Sequence, residues 1–277
     1  MPGSPTNLKA HSMTFQRRAL LATLASLSIL ALPSGAQAAR DRLARPSIVL
    51  VHGAFADTSS WDGVAAKLLA DGYPVIEVAN PLRGVSSDAA AVAGIVKSIA
   101  GPVVLVGHSY GGSVISAAAN GNDKVRSLVF VAAFAPDAGE TALGLSGRFP
   151  GSTLAPALAA PVPLANGGAD LYIQQDKFPQ QFAADLPRAR ARLMAAGQRP
   201  ILDAALKEAS GTPAWKHLPS YFVYGKLDKN IPPAALAFMA ERAHSRHTLA
   251  IDGASHVVMT SHPAAVARLI EEAATAE

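Results

Sequence analysis

Short, nearly continuous apolar runs rich in β-branched residues recur along most of the chain, separated by polar or glycine-containing stretches. Runs of this length and composition are typical of strands that are buried on both faces, as in a parallel sheet. The predicted strands are Ser47–Val51, Val75–Val78, Val103–Val106, Ser127–Phe134 and two late strands near Tyr221 and Leu249.

Between these runs, apolar residues recur every three or four positions, which is the period of an amphipathic helix. The predicted helices are Trp61–Ala70, Asp88–Ala100, a small-residue helix at Gly112–Ala119, Ala234–Ala243 and Ala264–Ala273. Strands that alternate with helices in this way predict an α/β fold with a doubly wound, mostly parallel sheet of about six strands.

A serine at the turn after the third predicted strand is the strongest candidate for chemistry. Ser109 is the centre of a G-x-S-x-G pentapeptide, Gly107–Gly111, with a strand before it and a helix after it. A serine on such a sharp turn is a nucleophile elbow, whose flanking glycines avoid steric clashes. The helix that follows directs its positive end at the place where an oxyanion would form. We therefore predict a nucleophile, with a glycine-rich turn without chemistry as the alternative.

An unactivated hydroxyl is a weak nucleophile, so a base and an acid should follow in the chain order Ser, Asp or Glu, His. Asp228 lies in the loop after the predicted strand near Tyr221, and His256 ends the loop after the strand near Leu249. We predict that His256 accepts the Ser109 proton and that Asp228 orients the imidazole and stabilises its charged form.

Two other carboxylates are candidates for the acid. Asp137 follows the predicted strand Ser127–Phe134 and is the runner-up, because some enzymes with this type of sheet take their acid from that strand. Asp252 is too close to His256 in the same loop to support its ring easily. Asp228 itself could instead serve as a turn residue or a helix cap, which are common roles for aspartate in polar loops.

The loop after the first strand is predicted to complete an oxyanion hole. One backbone donor in this kind of site comes from the residue after the nucleophile, here Tyr110, and the other from this loop, where Ala54 is the candidate. Gly53 lets the backbone approach the substrate closely. We predict that His52 braces the loop through hydrogen bonds rather than acting as the base, and that Phe55 contacts the substrate.

Five segments of the chain together resemble the α/β-hydrolases, and within them the branch that contains the plant methylesterases and the hydroxynitrile lyases. The segments are Leu50–Phe55, Val106–Gly112, Val131–Asp137, Asp228–Pro232 and Gly253–His256. The resemblance extends from about residue 47 to the end of the chain, apart from a divergent middle. It implies Ser109 as nucleophile, Asp228 as acid, His256 as base, and Ala54 and Tyr110 as oxyanion donors.

The chain departs from the lyases of this branch at two positions. Those lyases have a threonine where this chain has Gly53, and a lysine that holds cyanide where this chain has Val257. Both differences favour ester hydrolysis over cyanohydrin cleavage.

The segment 137–213 breaks the alternation of strands and helices. It opens with a stretch rich in Pro, Gly and Ala, and helices are predicted near Phe178–Asp185, Pro187–Ala196 and Ile201–Ala209. Substrate pockets in such sheets lie at the carboxyl edge, which an insertion at this place would cover. We therefore predict a helical lid within a single domain at 39–277; a surface elaboration is the alternative.

Residues 1–38 are predicted to be a secretion signal. The basic pair Arg17–Arg18 precedes an apolar run, Ala19–Leu32, which at about 14 residues is too short to span a bilayer. An A-x-A pattern at Ala36–Ala38 predicts cleavage before Ala39. We therefore predict a periplasmic or secreted protein, exported by Sec or Tat, with no stable membrane span after processing. A membrane anchor or a disordered leader is the alternative.

The charge of the chain comes partly from this leader. The formal net charge is +4, from 24 basic and 20 acidic residues. Lys9, Arg17 and Arg18 lie in the predicted leader, so 21 basic residues remain against 20 acidic ones in residues 39–277. No basic stripe with interleaved aromatic residues is present, so no nucleic-acid partner is predicted.

The residue types present also limit the chemistry. The chain has no cysteine, which excludes disulfides and thiolate metal sites. No zinc-protease or phosphate-loop motif occurs, so neither a metal nor a cofactor is predicted.

The sequence therefore predicts a serine hydrolase that cleaves carboxylic esters of small, largely apolar substrates. The alternatives are lyase-like or perhydrolase activity, or a binding protein with little turnover on a hydrolase scaffold. The sequence does not separate an aryl ester, a methyl ester, a lactone or an amide as substrate, nor a monomer from a homodimer.

Overall fold

The computed structural model of the chain describes residues 2–3, 45–165 and 167–276. The apolar run and the cleavage site of the predicted leader lie outside these residues, and the leader stays a prediction. No helix in the described part of the chain is long and apolar enough to cross a membrane.

Nine strands lie in the described ranges, and they form two sheets. In chain order the strands are β1 (Ser47–Val51), β2 (Val75–Val78), β3 (Val103–His108), β4 (Val125–Val131), β5 (Val162–Pro163), β6 (Ala169–Leu171), β7 (Ile201–Leu202), β8 (Ser220–Gly225) and β9 (His247–Ile251). The larger sheet has the order β2-β1-β3-β4-β8-β9, and all of its pairings are parallel. The predicted six-stranded α/β fold is thus confirmed.

Ten α-helices lie in the described part of the chain. They are α1 (Asp62–Ala70), α2 (Val85–Ser98), α3 (Gly111–Ala118), α4 (Ala142–Arg148), α5 (Phe178–Phe182), α6 (Arg188–Gly197), α7 (Asp203–Lys207), α8 (Pro233–Arg242), α9 (Val258–Ser261) and α10 (Pro263–Thr275). Helices α1 and α10 pack on each other, as do α2 and α3. Because helices cover the sheet, all six residues of β3 are buried, which explains its continuous apolar sequence.

Strand β4 is shorter than its sequence predicts. The apolar run continues to Phe134 and predicts a strand over Ser127–Phe134, but β4 spans Val125–Val131. The next residue, Ala132, has a φ of 44° in the left-handed region. That turn leads the chain away from the sheet, so the strand ends although the side chains remain apolar and buried.

The insertion between β4 and β8 contains α4 to α7 and the small antiparallel sheet β5-β6-β7. Three of its helices lie near their predicted positions. The small sheet and α4 were not predicted, since strands of two or three residues have no detectable period and Gly144 and Gly147 lower the helix propensity of α4. Helix α4 begins because the Thr141 hydroxyl accepts a hydrogen bond from the Gly144 N–H at 2.9 Å.

Candidate active site

Ser109 lies on the sharp turn between β3 and α3. Its φ is 52°, a left-handed conformation that is rare for a residue with a side chain and is found where surrounding structure enforces it. A Cβ atom on Gly107 would lie 2.6 Å from the Gly111 carbonyl oxygen, and one on Gly111 would lie 2.5 Å from the Val51 carbonyl oxygen. Only glycine fits at these two positions, so the elbow geometry follows from the pentapeptide.

Asp228 and His256 form a buried pair at the carboxyl ends of β8 and β9. The Nδ1 atom of His256 lies 2.6 Å from Oδ2 of Asp228, and the side chains are 1% and 0% exposed. The other carboxylate oxygen, Oδ1, accepts hydrogen bonds from the N–H groups of Asn230 at 2.8 Å and Ile231 at 3.0 Å. The two oxygens are therefore divided between the histidine and the loop, which fixes the plane of the carboxylate.

Ser109 and His256 line the same cavity. The Nε2 atom of His256 is buried and has no hydrogen-bond partner among the described residues. Ser109 is 7% exposed. Hydrogen bonds between a nucleophile and its base are commonly loose before substrate binds. Nε2 is thus the atom of the buried pair that is left free to accept a proton.

The two rival carboxylates lie elsewhere. Asp137 makes an ion pair with Lys216, with 2.6 Å between Oδ1 and Nζ. Asp252 pairs with Lys226 at 2.9 Å, and its side chain is 88% exposed. Among these candidates, the structure brings only Asp228 into contact with His256.

The loop after β1 brings a backbone donor toward the serine. The N–H of Phe55 donates to the Arg199 carbonyl at 2.9 Å, whereas the N–H groups of Ala54 and Tyr110 donate to no other residue in the described ranges. Tyr110 directly precedes α3, and the N–H groups at the start of a helix have no partner within that helix. Ala54 and Tyr110 both line the cavity beside Ser109. These two donors are free to bind an oxyanion.

Gly53 is packed against Ser109. A Cβ atom on Gly53 would lie 2.6 Å from the Ser109 Cβ and 2.7 Å from the His108 carbonyl oxygen. The threonine that the lyases of this branch carry here would need the backbone to move. The Val257 side chain, at the position of the lyase lysine, is fully buried.

His52 braces the same loop. The Asn80 N–H donates to its Nε2 at 3.1 Å, and the Asn80 side-chain amide donates to its carbonyl oxygen at 2.9 Å. Because a backbone N–H can only donate, Nε2 is the acceptor and Nδ1 carries the hydrogen that is donated to the Gly53 carbonyl oxygen at 2.9 Å. Burial lowers the pKa of His52 to about 4, so the ring is neutral at pH 7.

The cavity is partly open to solvent, and its walls are mainly apolar. Besides Ala54, Ser109, Tyr110 and His256, the lining consists of Phe55, Phe134, Ala142, Leu143, Ser146, Leu154, Phe182, Leu206, Asn230 and Ile231. Six of these residues come from the insertion, which therefore forms much of the wall. Phe55, predicted to contact substrate, packs edge-on against Phe182 with 6.2 Å between ring centroids.

A match to a known family covers most of the sequence. Residues 48–269 match the model described as the alpha/beta hydrolase family. The chain belongs to the alpha/beta hydrolase family. The resemblance drawn from the five sequence segments is thereby confirmed at the level of the family.

Solved structures with the same fold include two esterases and a pyrethroid hydrolase. The crystal structure of polyneuridine aldehyde esterase has a TM-score of 0.71 at 18% identity, over 82% of this hydrolase and 98% of that chain. A methylesterase from Arabidopsis has a TM-score of 0.66 at 17% identity, over 82% and 98%. A pyrethroid hydrolase from Sphingobium faniae has a TM-score of 0.64 at 22% identity, over 83% and 98%. A comparison with curated proteins gives no significant match.

In this hydrolase, His108 makes a contact at the site that the sequence does not predict. Its Nε2–H donates to the His256 carbonyl oxygen at 3.2 Å, and the two imidazole rings lie 4.7 Å apart between centroids. Burial and the neighbouring His256 lower the pKa of His108 well below its usual range. Because the His108 ring is neutral, it places no second positive charge beside His256 when His256 takes up a proton. The sequence does indicate that His108 lies near the site, since this residue is inside the pentapeptide.

A second contact that the sequence does not predict anchors Tyr110, one of the two candidate oxyanion donors. Its hydroxyl donates to Oδ2 of Asp88 at 3.0 Å, and the same oxygen accepts the Arg83 N–H at 3.1 Å. Burial, with the Asp88 carboxylate beside it, raises the pKa of Tyr110. This bond cannot be predicted from the sequence, because Asp88 is 22 residues away and has the pattern of an ordinary helix residue.

We expect the free energy of unfolding of this hydrolase to fall as the pH is lowered from 6.5 to about 4. The first value is the ordinary pKa of histidine, and the second is the pKa of His52 in the folded protein. Over that range the unfolded chain binds a proton on His52 that the folded chain does not, and stability is lost. The loss from His52 is about 3 kcal/mol at 1.36 kcal/mol for each pKa unit. Denaturant titrations at several pH values measure it. The non-titrating variant His52→Gln should show a shallower slope, and equal slopes would contradict the assignment.

Proposed function

We propose that this protein is a serine esterase, which cleaves carboxylic esters of small, largely apolar substrates through an acyl-enzyme intermediate. The observation that carries the proposal is the buried Asp228–His256 hydrogen bond of 2.6 Å beside a serine on a strained elbow. A binding protein would have no need of an oriented, buried acid–base pair next to that serine. The substrate class rests on the apolar lining of the cavity.

In the first half of the reaction, the Ser109 hydroxyl attacks the ester carbonyl while Nε2 of His256 takes its proton. The negative charge that develops on the carbonyl oxygen is stabilised by the free N–H groups of Ala54 and Tyr110. Asp228 stabilises the imidazolium through its bond to Nδ1. Collapse of the intermediate breaks the bond to the alcohol, which leaves with the proton from His256.

The second half repeats these steps with water. His256 removes a proton from a water molecule, which attacks the acyl group on Ser109. The same two N–H groups stabilise the second oxyanion. The carboxylic acid leaves, and the proton returns from His256 to the serine oxygen. Each half-reaction leaves the acid–base pair as it began.

The cavity supports a preference for uncharged substrates. Among the described residues, the lining contains no Asp, Glu, Lys or Arg. The polar lining residue Asn230 uses its side-chain oxygen to accept a hydrogen bond from Gln181 at 3.0 Å. A carboxylate on the substrate would lose its hydration and find no cation in return. Gly53 and Val257 both argue against the lyase alternative, since they cannot supply the threonine and lysine side chains that those enzymes have at these positions.

A series of nitrophenyl esters tests the proposal. We expect a burst of one nitrophenol for each Ser109, followed by slower turnover, with neutral short and medium acyl chains preferred over a succinyl monoester of similar length. A phosphonate inhibitor should stop the reaction and add its mass to the peptide that contains Ser109. A protein that shows neither burst nor label at Ser109 is not a serine esterase.

We also propose that the protein acts outside the cytoplasm, after removal of residues 1–38. This rests on the basic pair, the apolar run and the A-x-A pattern of the leader. Expression of the whole chain in a bacterium should give an exported product that begins at or near Ala39. Amino-terminal sequencing that finds the leader intact on exported protein would contradict the proposal.

A further inference from the structure

Gln181, in helix α5 of the insertion, is a buried amide whose hydrogen-bonding groups are all occupied. Its Nε2 donates to the Lys229 carbonyl oxygen at 2.9 Å and to Oδ1 of Asn230 at 3.0 Å. Its Oε1 accepts from the Thr153 hydroxyl at 2.8 Å. The residue is only 6% exposed, so these protein groups take the place of water. The insertion is thus bonded to the loop that directly follows Asp228.

That loop controls the position of the Asp228 carboxylate. Oδ1 is held by the N–H groups of Asn230 and Ile231, which leaves Oδ2 for His256. A shift of the loop would therefore move the carboxylate and lengthen the bond to Nδ1. The amide of Gln181 reaches Asp228 only through this loop and touches no reacting atom, which makes its role one of positioning.

The same segment of the insertion also contacts the loop of the base. The Ser255 hydroxyl, next to His256 in the chain, donates to Oδ1 of Asp185. The Phe182 ring lies against the His256 imidazole, with 4.9 Å between centroids and an angle of 67° between planes. Within one short segment, therefore, Gln181 holds the acid loop and its neighbours hold the base loop.

We propose that Gln181 is a positioning residue, which holds the loop that carries Asp228 so that Oδ2 stays aligned with Nδ1 of His256. The insertion is then part of the catalytic geometry as well as the wall of the cavity. The role in catalysis rests on the proposed esterase function, whereas the alignment of the two side chains does not.

Gln181→Met is the first test, since methionine has a similar length but cannot bond to the loop. Gln198→Met is the matched control. Gln198 lies in the same insertion, and its amide also makes three hydrogen bonds, to the N–H and carbonyl of Ile173 at 2.9 Å each and to the Ala195 carbonyl at 3.0 Å. All three bonds lie within the insertion and none reaches the triad loops.

Two measurements are made on each variant. We expect Gln181→Met to lower kcat on a nitrophenyl ester by about 10- to 100-fold, as for a misplaced catalytic group, with a much smaller change in KM. The proton between Nδ1 of His256 and Asp228 should give a far-downfield NMR signal in the wild type, because the bond is short at 2.6 Å. That signal should move upfield or disappear in Gln181→Met and persist in Gln198→Met.

Thr153→Val serves if Gln181→Met does not fold, since it removes only the hydroxyl that orients the amide. It should lower kcat in the same direction, and Thr153→Ser, which keeps the hydroxyl, should restore it. The proposal is overturned if Gln181→Met keeps the wild-type kcat and signal, or if both glutamine variants lose activity in equal proportion to their loss of thermal stability. A downfield signal that moves as expected in a protein without esterase activity would refute the proposed function and retain the positioning role.

Discussion

Replacement of Ser109 by alanine is expected to reduce kcat on an activated ester by a factor of about 10³ or more while the fold is kept. Without the hydroxyl no acyl-enzyme can form, and the Ala54 and Tyr110 donors retain only the weaker ability to polarise a bound ester. Nitrophenol release under saturating substrate, with thermal unfolding as the check on structure, measures the effect.

Ser113→Ala is a suitable control for that experiment. Ser113 is also buried and lies on the same helix, α3, but it lines a different cavity. Its substitution should leave the burst unchanged. If Ser109→Ala keeps most of the wild-type rate, the nucleophile has been assigned wrongly.

Asp228→Asn is expected to lower kcat by about 10³ to 10⁴, by analogy with the same change in a serine protease triad. Asparagine keeps the shape of the side chain, but its amide favours the tautomer of His256 that has its hydrogen on Nε2, where the serine proton should go. Negative charge beside the imidazolium is also lost. The steady-state rate on a nitrophenyl ester measures both effects together.

Asp137→Asn provides the comparison, because Asp137 was the rival acid and is bound to Lys216 instead. Its substitution should alter the rate by a small factor, as expected for the loss of an exposed ion pair. A large loss for Asp137→Asn together with a small loss for Asp228→Asn would transfer the role of the acid to the loop after β4.

The positions of the candidate triad can be predicted from sequence because each residue follows a strand with a clear apolar pattern. In a parallel sheet the carboxyl ends of strands share one edge, so Ser109, Asp228 and His256 are placed together by the order of β3, β8 and β9. The steric demands on Gly107 and Gly111 are likewise local and leave a motif that can be recognised.

The remaining parts of the site depend on contacts that leave no local pattern. The bond from Gln181 to Lys229 spans 48 residues, and nothing in either neighbourhood marks a glutamine as paired with a carbonyl. The left-handed conformation of Ala132 cannot be predicted for the same reason, because it is enforced by packing and is not one that alanine prefers. The small sheet of the insertion was missed because its strands are too short to show a period.

The attachment of the insertion has a consequence for how such enzymes diverge and can be recombined. Besides its bonds to the acid and base loops, the insertion is tied to the body of the molecule by Arg83–Asp170 at 2.6 Å and by Glu208, which accepts the Val85 N–H at the start of α2 at 2.6 Å. An insertion from a relative that lacks Asp170, Gln181 and Glu208 would not make these bonds. Chimeras that exchange the whole insertion should therefore lose activity unless the segments that bond to it are exchanged as well. Single changes at Leu143 or Leu206 can instead alter the substrate range within the native scaffold.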